Sequence, residues 1–242
     1  MNLNEQQKKS IEHFNGPCLV VGTPGSGKTR VITERVKYLV EEKGVKNTNI
    51  LVITFTKAAA VQMKKRYEAM VSGDAKRVYF GTFHAIFFTI LKYAYHYTAD
   101  NIIRDDVKRQ LLRELANKEE IEMQDENDFL NELVSEISKV KGEMLDLRHY
   151  YSPNCPGESF RRIYSGYQSI LESRKLIDFD DMLVYCYELL KAREDIRQMW
   201  QRQYPYILID EFQDINKVQY DIVKMLASPK NNLFIVGDDD QS

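Results

Sequence analysis

The sequence has few cysteines and no long apolar run, and these absences exclude several classes of protein. Its three cysteines, Cys18, Cys155 and Cys186, stand far apart in the 242 residues. Such spacing suits neither a disulfide framework nor a zinc site. No uncharged apolar stretch approaches the ~20 residues that span a bilayer, and the N-terminus lacks the apolar segment of a signal peptide. We therefore expect buried thiols, no membrane association and a cytoplasmic protein.

A strong overall charge is also lacking, but the charge is unevenly distributed along the chain. The formal net charge is -2, with 43% hydrophobic and 29% charged residues, which is ordinary for a globular protein. Residues 1–100 hold 15 Lys and Arg against 8 Asp and Glu, whereas residues 177–242 hold 7 against 13. The basic first part permits a polyanionic partner, although solvated helix faces would give the same count.

Five short β-branched runs predict the strands of one sheet. They are CLVVG at 18–22, ILVITF at 50–55, VYFGTF at 78–83, YILIDEF at 206–212 and LFIVGD at 233–238. Each is apolar enough to be buried on both faces of the sheet. Amphipathic helical patterns separate the first runs, and this alternation is typical of an α/β fold with a parallel, doubly wound sheet.

The middle of the chain has a different pattern, with helices only. Segments such as RDDVKRQLLREL and FLNELVSEISKV lie between residues 101 and 176 and have helical periodicity. We expect an all-helical subdomain at 101–176, inserted into an α/β domain formed by residues 1–100 and 177–242.

The segment CLVVGTPGSGKTR matches the phosphate-loop pattern G-x-x-x-x-G-K-[ST], and it follows a predicted strand and opens a helix, as that pattern must. Glycines let backbone N–H groups close around phosphate oxygens, the lysine neutralises the terminal phosphates and the threonine hydroxyl can bind Mg²⁺. A glycine-rich turn without a ligand is the alternative. The predicted nucleotide-binding residues are Gln7, Gly22, Thr23, Pro24, Gly25, Ser26, Gly27, Lys28, Thr29 and Arg30.

The run YILIDEFQD supplies the acidic partner that a phosphate loop needs. Its apolar residues suit a buried strand that delivers Asp210 and Glu211 to the carboxyl end of the sheet. We expect Asp210, together with Thr29, to hold Mg²⁺, and Glu211 to accept a proton from the attacking water.

Gln7, in LNEQQ, has two interpretations. Its amide can both donate to and accept from an adenine edge. Asn4 followed three residues later by Gln7 is also a capping box, which would start a helix with no nucleotide involved. The residues by themselves favour neither interpretation.

Seven segments in order resemble the N-terminal motifs of the UvrD/Rep/PcrA class of superfamily 1 DNA helicases. They are LNEQQ, GTPGSGKTR, ITFTKAAAVQM, GTFHA, DFDDM, DEFQD and VGDDDQS, and they span the chain from end to end. The resemblance implies a P-loop NTPase (RecA-like) domain with a helical insertion, which works with a second RecA-like domain. It also implies ATP hydrolysis and 3′-to-5′ movement on single-stranded DNA.

The resemblance also implies roles for particular residues. It favours Gln7 as the adenine reader and makes Gln241 the glutamine that senses the γ-phosphate, beside the catalytic residues Lys28 and Glu211. It implies that the DNA strand is contacted by five residues: Phe55, Thr56, Lys57, Thr82 and His84. Without it, Phe55 would be interpreted as core and His84 as a loop histidine. No chemical step is assigned to Asp178, Asp180 or Asp181.

One position departs from the family. Asn then Lys usually follow TFT, whereas this chain has Lys57 and Ala58, so a phosphate contact is more plausible there than a base contact.

The chain stops within VGDDDQS, so the sequence predicts an N-terminal part that lacks the second RecA-like domain and its arginines. By itself it would hydrolyse ATP slowly. The alternatives are the motor part of a RecB/AddA-like helicase-nuclease and a nucleotide- or DNA-binding module without turnover.

Overall fold

A parallel five-stranded sheet forms the α/β part of the molecule, with the strand order β1-β5-β4-β2-β3. The computed structural model describes residues 3–23, 25–121 and 125–238. The strands are β1 Cys18–Val21, β2 Ile50–Thr54, β3 Tyr79–Thr82, β4 Tyr206–Ile209 and β5 Leu233–Gly237. Each predicted run therefore contains a strand, and the residues that follow each strand form the loops of the candidate site.

Ten α-helices accompany these strands in the described residues, and none of them is long and apolar enough to cross a membrane. They are α1 Glu5–Glu12, α2 Lys28–Glu41, α3 Lys57–Glu68, α4 Phe83–Tyr95, α5 Asp105–Lys118, α6 Glu126–Gly142, α7 Gly157–Ser173, α8 Phe179–Ala192, α9 Glu194–Gln203 and α10 Lys217–Ala227.

One face of the sheet is covered by α1, α2 and α3. Ile32, Val36 and Leu39 recur along α2 at helical spacing, and all three are fully buried. They pack in one core with Val52 of β2 and Phe234 of β5, whose side chains lie on the same face of the sheet. Burial of this apolar stripe fixes α2, and with it the loop that precedes α2, against the sheet.

The prediction that every strand is buried on both faces is wrong for β1. Leu19 is 64% exposed and Val21 is 51% exposed, while Cys18 and Val20 on the other face contact the core. β1 is an edge strand, so its second face is covered less than that of the central strands. The cysteine prediction also needs correction, because only Cys186 is buried; Cys18 and Cys155 are partly exposed, and all three are free thiols.

The chain divides into two compact units. The sheet unit contains the described residues of 1–86, 190–215 and 219–242, and the helical unit contains those of 87–189 and 216–218. The predicted boundaries, 100/101 and 176/177, fall inside the helical unit, because α4 and α8 each contribute most of their residues to it. The assignment of the two units as separate domains stays a prediction.

The helical unit has its own apolar core from α5, α6 and α7. Leu112, Leu133, Ile137, Phe160 and Leu171 are fully buried there. Leu133 and Ile137 lie about one turn apart on α6, and Phe160 and Leu171 lie about three turns apart on α7. Each pair is therefore on one face of its helix, as the sequence periodicity predicts.

Beside this core lies a buried group of charges, here called the ion cluster: Lys108, Lys141, Asp178, Asp180 and Asp181. The ammonium group of Lys141 lies 3.0 Å from Asp178 and 2.7 Å from Asp181, and that of Lys108 lies 3.1 Å from Asp178. Asp178 also accepts a hydrogen bond from the Tyr167 hydroxyl at 3.0 Å. The cluster thus joins α5, α6 and α7 to the start of α8.

Asp178 has a second role as the cap of α8. Its Oδ1 accepts from the backbone N–H of Asp181 at 2.7 Å, and Asp181 Oδ2 accepts from the N–H of Asp178 at 3.1 Å. This is the reciprocal pattern of a capping box. The DFDDM segment, to which the sequence assigns no chemical step, therefore has a structural explanation in two of its aspartates.

We predict that Lys141→Met destabilises the protein by about 3–5 kcal/mol at pH 7.5, because it leaves two buried carboxylates with one ammonium group fewer. Lys141 is 3% exposed. Urea denaturation followed by circular dichroism measures the loss. The matched control is Lys139→Met on the exposed side of the same helix, for which we expect a change within about 0.5 kcal/mol. Equal unfolding midpoints for both variants would contradict the role of the cluster.

The difference in unfolding free energy between Lys141→Met and the unsubstituted protein should become smaller as the pH falls to 5. Burial raises the pKa of Asp181 to about 6, with Lys141 opposing and Asp178 adding to the shift. Without Lys141 this folded-state pKa rises further above the unfolded value, which is about 3.9. The folded variant then binds a proton that the unfolded chain does not, so its stability increases as the pH falls through that window. A deficit that is independent of pH would contradict this cause.

Candidate functional site

The phosphate loop, residues 22–29, follows β1 and ends in the first turn of α2. Gly27 is the N-cap of α2 with a φ of 88°, and Gly25 has a φ of 80°. Both values lie in the left-handed region that favours glycine. At Gly22 a Cβ would come within 2.6 Å of the Ser26 hydroxyl, so a larger residue there would displace that hydroxyl. Pro24 lies outside the described residues.

The Lys28 side chain turns back across this loop. Its ammonium group donates to the carbonyl oxygen of Gly22 at 3.1 Å and pairs with the carboxylate of Asp238, which follows β5. Both side chains are 9% exposed. Because β1 and β5 are neighbouring parallel strands, the residues that follow them meet at the same edge of the sheet.

Asp210 and Glu211 follow β4, which neighbours β5 on its other side. Asp210 is 5% exposed, and burial, with the neighbouring Glu211, raises its pKa to about 6. Lys28 and Asp238 also act on this pKa, in opposite directions. Asp210 therefore shares its electrostatic environment with the phosphate loop, as the sequence predicts for an acidic partner.

Gln213 connects the acidic residues to Asp238. Its amide nitrogen donates to the carboxylate of Glu211 at 2.7 Å, and its amide oxygen accepts from the backbone N–H of Asp238 at 3.0 Å. Glu211 has a φ of 53°, in the left-handed region that non-glycine residues seldom adopt. The bond from Gln213 fixes the position of the Glu211 carboxylate. A continuous chain of contacts thus runs from Lys28 to Glu211.

The oxygen atoms at this site are ligands that suit a magnesium ion. The Oδ1 atom of Asp210 is buried and has no hydrogen-bond partner among the described residues. A buried carboxylate oxygen without a donor is costly unless a cation or its water shell completes it. Mg²⁺ in nucleotide sites is bound by one or two carboxylates together with the phosphates and water. Asp210 would hold it here, with Thr29 at the start of α2 as the second predicted ligand.

The structure contains the capping box of Gln7 at the start of α1. Its amide oxygen accepts from the N–H of Asn4 at 2.9 Å, and its N–H donates to Asn4 Oδ1 at 2.8 Å. The Gln7 amide nitrogen also donates to the carbonyl of Ser26 in the phosphate loop at 3.0 Å. Because an amide group has two donors and two acceptor lone pairs, these bonds leave capacity for an adenine edge. The adenine contact stays a prediction.

Arg35 of α2 fixes α1 in this position. Its guanidinium group donates to the carbonyl oxygens of Ser10 and Ile11 at 3.2 and 3.0 Å and contacts that of His13, all near the end of α1. It lies 4.4 Å from the centroid of the Phe234 ring and is 2% exposed. Burial lowers the pKa of Arg35 to about 10. Arg35 therefore stays charged at neutral pH and holds the helix that carries Gln7.

A cavity of about 250 Å³ lies next to these groups. Gln7 and Ser10 of α1 line it, as do Gly22, Ser26 and Lys28 of the phosphate loop. Its lining joins the predicted adenine reader to the predicted phosphate ligands. Arg30, another predicted ligand, instead lies 3.7 Å from Glu34 one turn along α2, with a half-exposed side chain.

The predicted DNA residues lie at or just after the ends of β2 and β3, which are neighbouring strands paired through Thr54 and Thr82. Phe55 is 44% exposed, so it is not a core residue; its ring meets the buried Phe83 edge-on at 6.3 Å. Thr56 caps α3 through a bond from Ala59 N–H, and the Thr82 hydroxyl accepts from Ala85 N–H in the first turn of α4. These neighbouring strand ends bring two helix N-termini to one edge of the sheet.

Lys57 and His84 also occur at these helix starts. Lys57 is the first residue of α3, and its side chain is exposed. His84 lies in the first turn of α4 and not in a loop. A cavity of about 480 Å³ is lined by Lys57, Lys64, Tyr79 and Thr82, among others. Two helix N-termini and a cationic side chain are suited to phosphate groups.

Three residues of the site were not predicted: Asp238, Gln213 and Arg35. Asp238 and Gln213 lie inside the quoted motifs VGDDDQS and DEFQD, but their contacts depend on the strand order. The catalytic role predicted for Gln241 lies outside the described residues, as does the rest of its motif after Asp238.

Comparison with known proteins gives a consistent result. Residues 3–242 match the family described as the UvrD/REP helicase N-terminal domain. The putative ATP-dependent DNA helicase YjcD of Bacillus subtilis (strain 168) is 36% identical over an alignment 252 residues long, which covers 100% of this chain and 32% of that protein. ATP-dependent DNA helicase PcrA of Leuconostoc citreum is 35% identical, over 99% of this chain and 33% of its own length. PcrA of Staphylococcus aureus (strain Mu50 / ATCC 700699) is 34% identical, over 100% and 34%. The chain thus spans about a third of the length of these relatives.

We predict that Arg35→Met loosens α1 and its capping box, because it leaves three carbonyl groups near the end of that helix without their donor. Backbone amides of residues 8–13 should exchange with deuterium at least about tenfold faster, since each unsatisfied carbonyl costs about 1–3 kcal/mol. Hydrogen exchange followed by mass spectrometry measures this. Arg66→Met, on the exposed side of α3, is the matched control and should leave these amides unchanged. Unchanged exchange in Arg35→Met would show that apolar packing holds α1 without it.

Proposed function

The chain belongs to the UvrD/REP helicase N-terminal domain family, and we propose that it binds ATP with Mg²⁺ and contributes to ATP-driven movement on single-stranded DNA. The direction proposed is 3′ to 5′, which the motif resemblance implies. One observation carries the proposal: a chain of contacts from Lys28 through Asp238 and Gln213 to Glu211. It links the phosphate loop to the carboxylate at the end of β4.

In the proposed complex the phosphate loop holds the terminal phosphates of ATP. The N–H groups at the start of α2 and the left-handed Gly25 and Gly27 provide donors for phosphate oxygens. The Lys28 ammonium group adds a full positive charge near the same oxygens. Gln7 lines the adjoining cavity, and its amide is proposed to read the adenine edge there.

Glu211 is the proposed general base. A carboxylate that accepts a proton from water must be oriented toward that water, and the bond from Gln213 orients Glu211. Bound at Asp210, Mg²⁺ would neutralise charge on the phosphate oxygens. Asp210 supplies the buried oxygen that binds this ion or one of its waters.

The single strand is proposed to contact the ends of β2 and β3. The exposed ring of Phe55 provides a platform on which a base can stack, while Thr56 and Thr82 lie at helix N-termini that suit backbone phosphates. Lys57 adds a charge that follows the phosphate backbone without reading sequence. Binding should therefore be salt-dependent and tolerant of sequence.

We predict that Lys28→Ala weakens MgATP binding at least about tenfold, because it removes a charge-assisted bond to phosphate worth about 1.5–3 kcal/mol. Calorimetric titration with MgATP measures the affinity. Lys37→Ala on the same helix is the matched control, since its side chain is 37% exposed and its ammonium group lies 3.8 Å from Glu41 one turn along the helix. It should bind MgATP as the unsubstituted protein does.

A melting curve must accompany this titration, because Lys28→Ala also leaves Asp238 without its ammonium partner. Asp238→Asn separates the two effects: it removes the charge pair but keeps Lys28, so MgATP binding should persist. If Lys28→Ala is folded and binds MgATP with unchanged affinity, the assignment of the phosphate loop is wrong.

We predict that Phe55→Ala weakens binding of a labelled oligothymidylate at least about fivefold, because a stacked base is worth about 1–3 kcal/mol. Fluorescence anisotropy at two salt concentrations measures the affinity and its salt dependence. Tyr220→Ala is the matched control, since Tyr220 is 43% exposed in the same unit. Lys57→Gln should reduce the salt slope by about 1 without changing sequence tolerance. Equal affinities of Phe55→Ala and Tyr220→Ala would contradict the stacking platform.

A further inference from the structure

The helical unit contains a cavity of about 590 Å³ that the proposed nucleotide and DNA sites do not use. We call it the tyrosine pocket. Its aromatic lining comes from Tyr95, Tyr97 and Tyr185, and its charged lining includes Glu172, Glu188 and Lys175. This volume lies within the range of about 300–1,000 Å³ that is usual for binding sites of small groups.

The tyrosines provide two aromatic walls at an angle. The rings of Tyr95 and Tyr97 have centroids 6.0 Å apart and an interplanar angle of 73°. Tyr95, at the end of α4, is 52% exposed, so a large part of its surface is open to solvent. Tyr185 extends the lining from α8. Angled aromatic surfaces of this kind attract a cation placed over their faces.

The charges around the pocket are predominantly negative. Glu172 and Glu188 are exposed, and neither forms an ion pair within the part of the chain that the structure describes. Lys175 is the one ammonium group among the described lining residues, so the two carboxylates exceed it by one charge. The remaining polar lining consists of the neutral amide of Asn101 and the imidazole of His96.

The ion cluster adds to this negative field from the inner side. It contains three aspartates and two lysines, and Asp181 acts directly on two tyrosines of the pocket. Burial raises the pKa of Tyr97, with Tyr95 and Asp181 adding to the shift. Burial and Asp181 likewise raise the pKa of Tyr185. The phenols of Tyr97 and Tyr185 therefore stay protonated at neutral pH and add no negative charge of their own to the pocket.

We propose that the tyrosine pocket binds the cationic side chain of an arginine or lysine presented by a basic segment of a partner protein. A guanidinium group can stack on the Tyr95 ring and reach a carboxylate at the same time, which favours arginine. A DNA strand fits less well, because its phosphates would meet Glu172 and Glu188. This proposal does not depend on ATP binding or DNA movement.

Titration of the ¹⁵N-labelled chain with N-acetyl-arginine methylamide tests the proposal by NMR. The matched probe is N-acetyl-citrulline methylamide, a neutral compound of nearly the same shape. We expect saturable shifts from the arginine probe at residues 95–101, 172–176 and 185–188, at millimolar concentration, and none from the citrulline probe.

Variants of the pocket identify the groups responsible. Glu172→Gln and Tyr95→Leu should each weaken binding of the arginine probe about threefold, since each removes one favourable contact to the cation. Tyr95→Phe keeps the ring and should retain the affinity. Glu132→Gln, an exposed carboxylate of α6 outside the pocket, is the control and should have no effect. Melting curves establish that each variant is folded.

Three results would overturn the proposal. Equal binding of the citrulline probe would mean that charge does not select the ligand. Shifts of the arginine probe outside the pocket would place the cation elsewhere. Shifts of the pocket residues on titration with oligothymidylate, stronger than those from the arginine probe, would make it a nucleic-acid site instead.

Discussion

The neighbouring positions of β1, β5 and β4 in the parallel sheet determine where the charged groups of the candidate nucleotide site lie. Parallel strands about 4.8 Å apart bring their carboxyl ends to one edge. The phosphate loop follows β1, Asp238 follows β5, and Asp210 with Glu211 follows β4. Lys28 can therefore reach Asp238, and Gln213 can reach both Asp238 and Glu211. A different strand order would separate these groups, although the local sequence of each would be the same.

Buried charges are satisfied in different ways in the two units. In the helical unit, Lys108 and Lys141 neutralise most of the aspartate charge, and Asp178 also caps α8. Burial opposes the ionisation of Asp178, but Lys141 and Lys108 outweigh it and hold its pKa below the usual range. Asp210 has no such partner for its Oδ1 atom among the described residues, and its pKa is raised. The first arrangement is complete in itself, whereas the second leaves one buried carboxylate oxygen without a donor, which the proposed cation would satisfy.

The sequence predicts those features that depend on local chemistry. The five apolar runs, the loop glycines and the pair Asp210–Glu211 need only neighbouring residues for their interpretation, and the structure contains strands, left-handed glycines and a strand-end carboxylate at these positions. Features that depend on strand order were missed or wrong. Gln213 accepts a hydrogen bond from Asp238, which lies next to it only because β5 neighbours β4. Leu19 is exposed because β1 lies at an edge of the sheet. Phe55 is a large apolar residue of the kind that usually lies in a core, but the neighbouring Phe83 is the one that is buried.

The contacts of Lys28 suggest how a nucleotide can enter without breaking the network that orients Glu211. An ammonium group has three hydrogen atoms to donate. In this structure they face the Gly22 carbonyl at 3.1 Å, the Asp238 carboxylate and the Thr23 carbonyl at 3.5 Å. The bond to Thr23 is the longest, so in the proposed complex a phosphate oxygen would displace it at the lowest cost in free energy. The pair with Asp238 would then persist, and through the Asp238 N–H and Gln213 the carboxylate of Glu211 would keep its position in that complex.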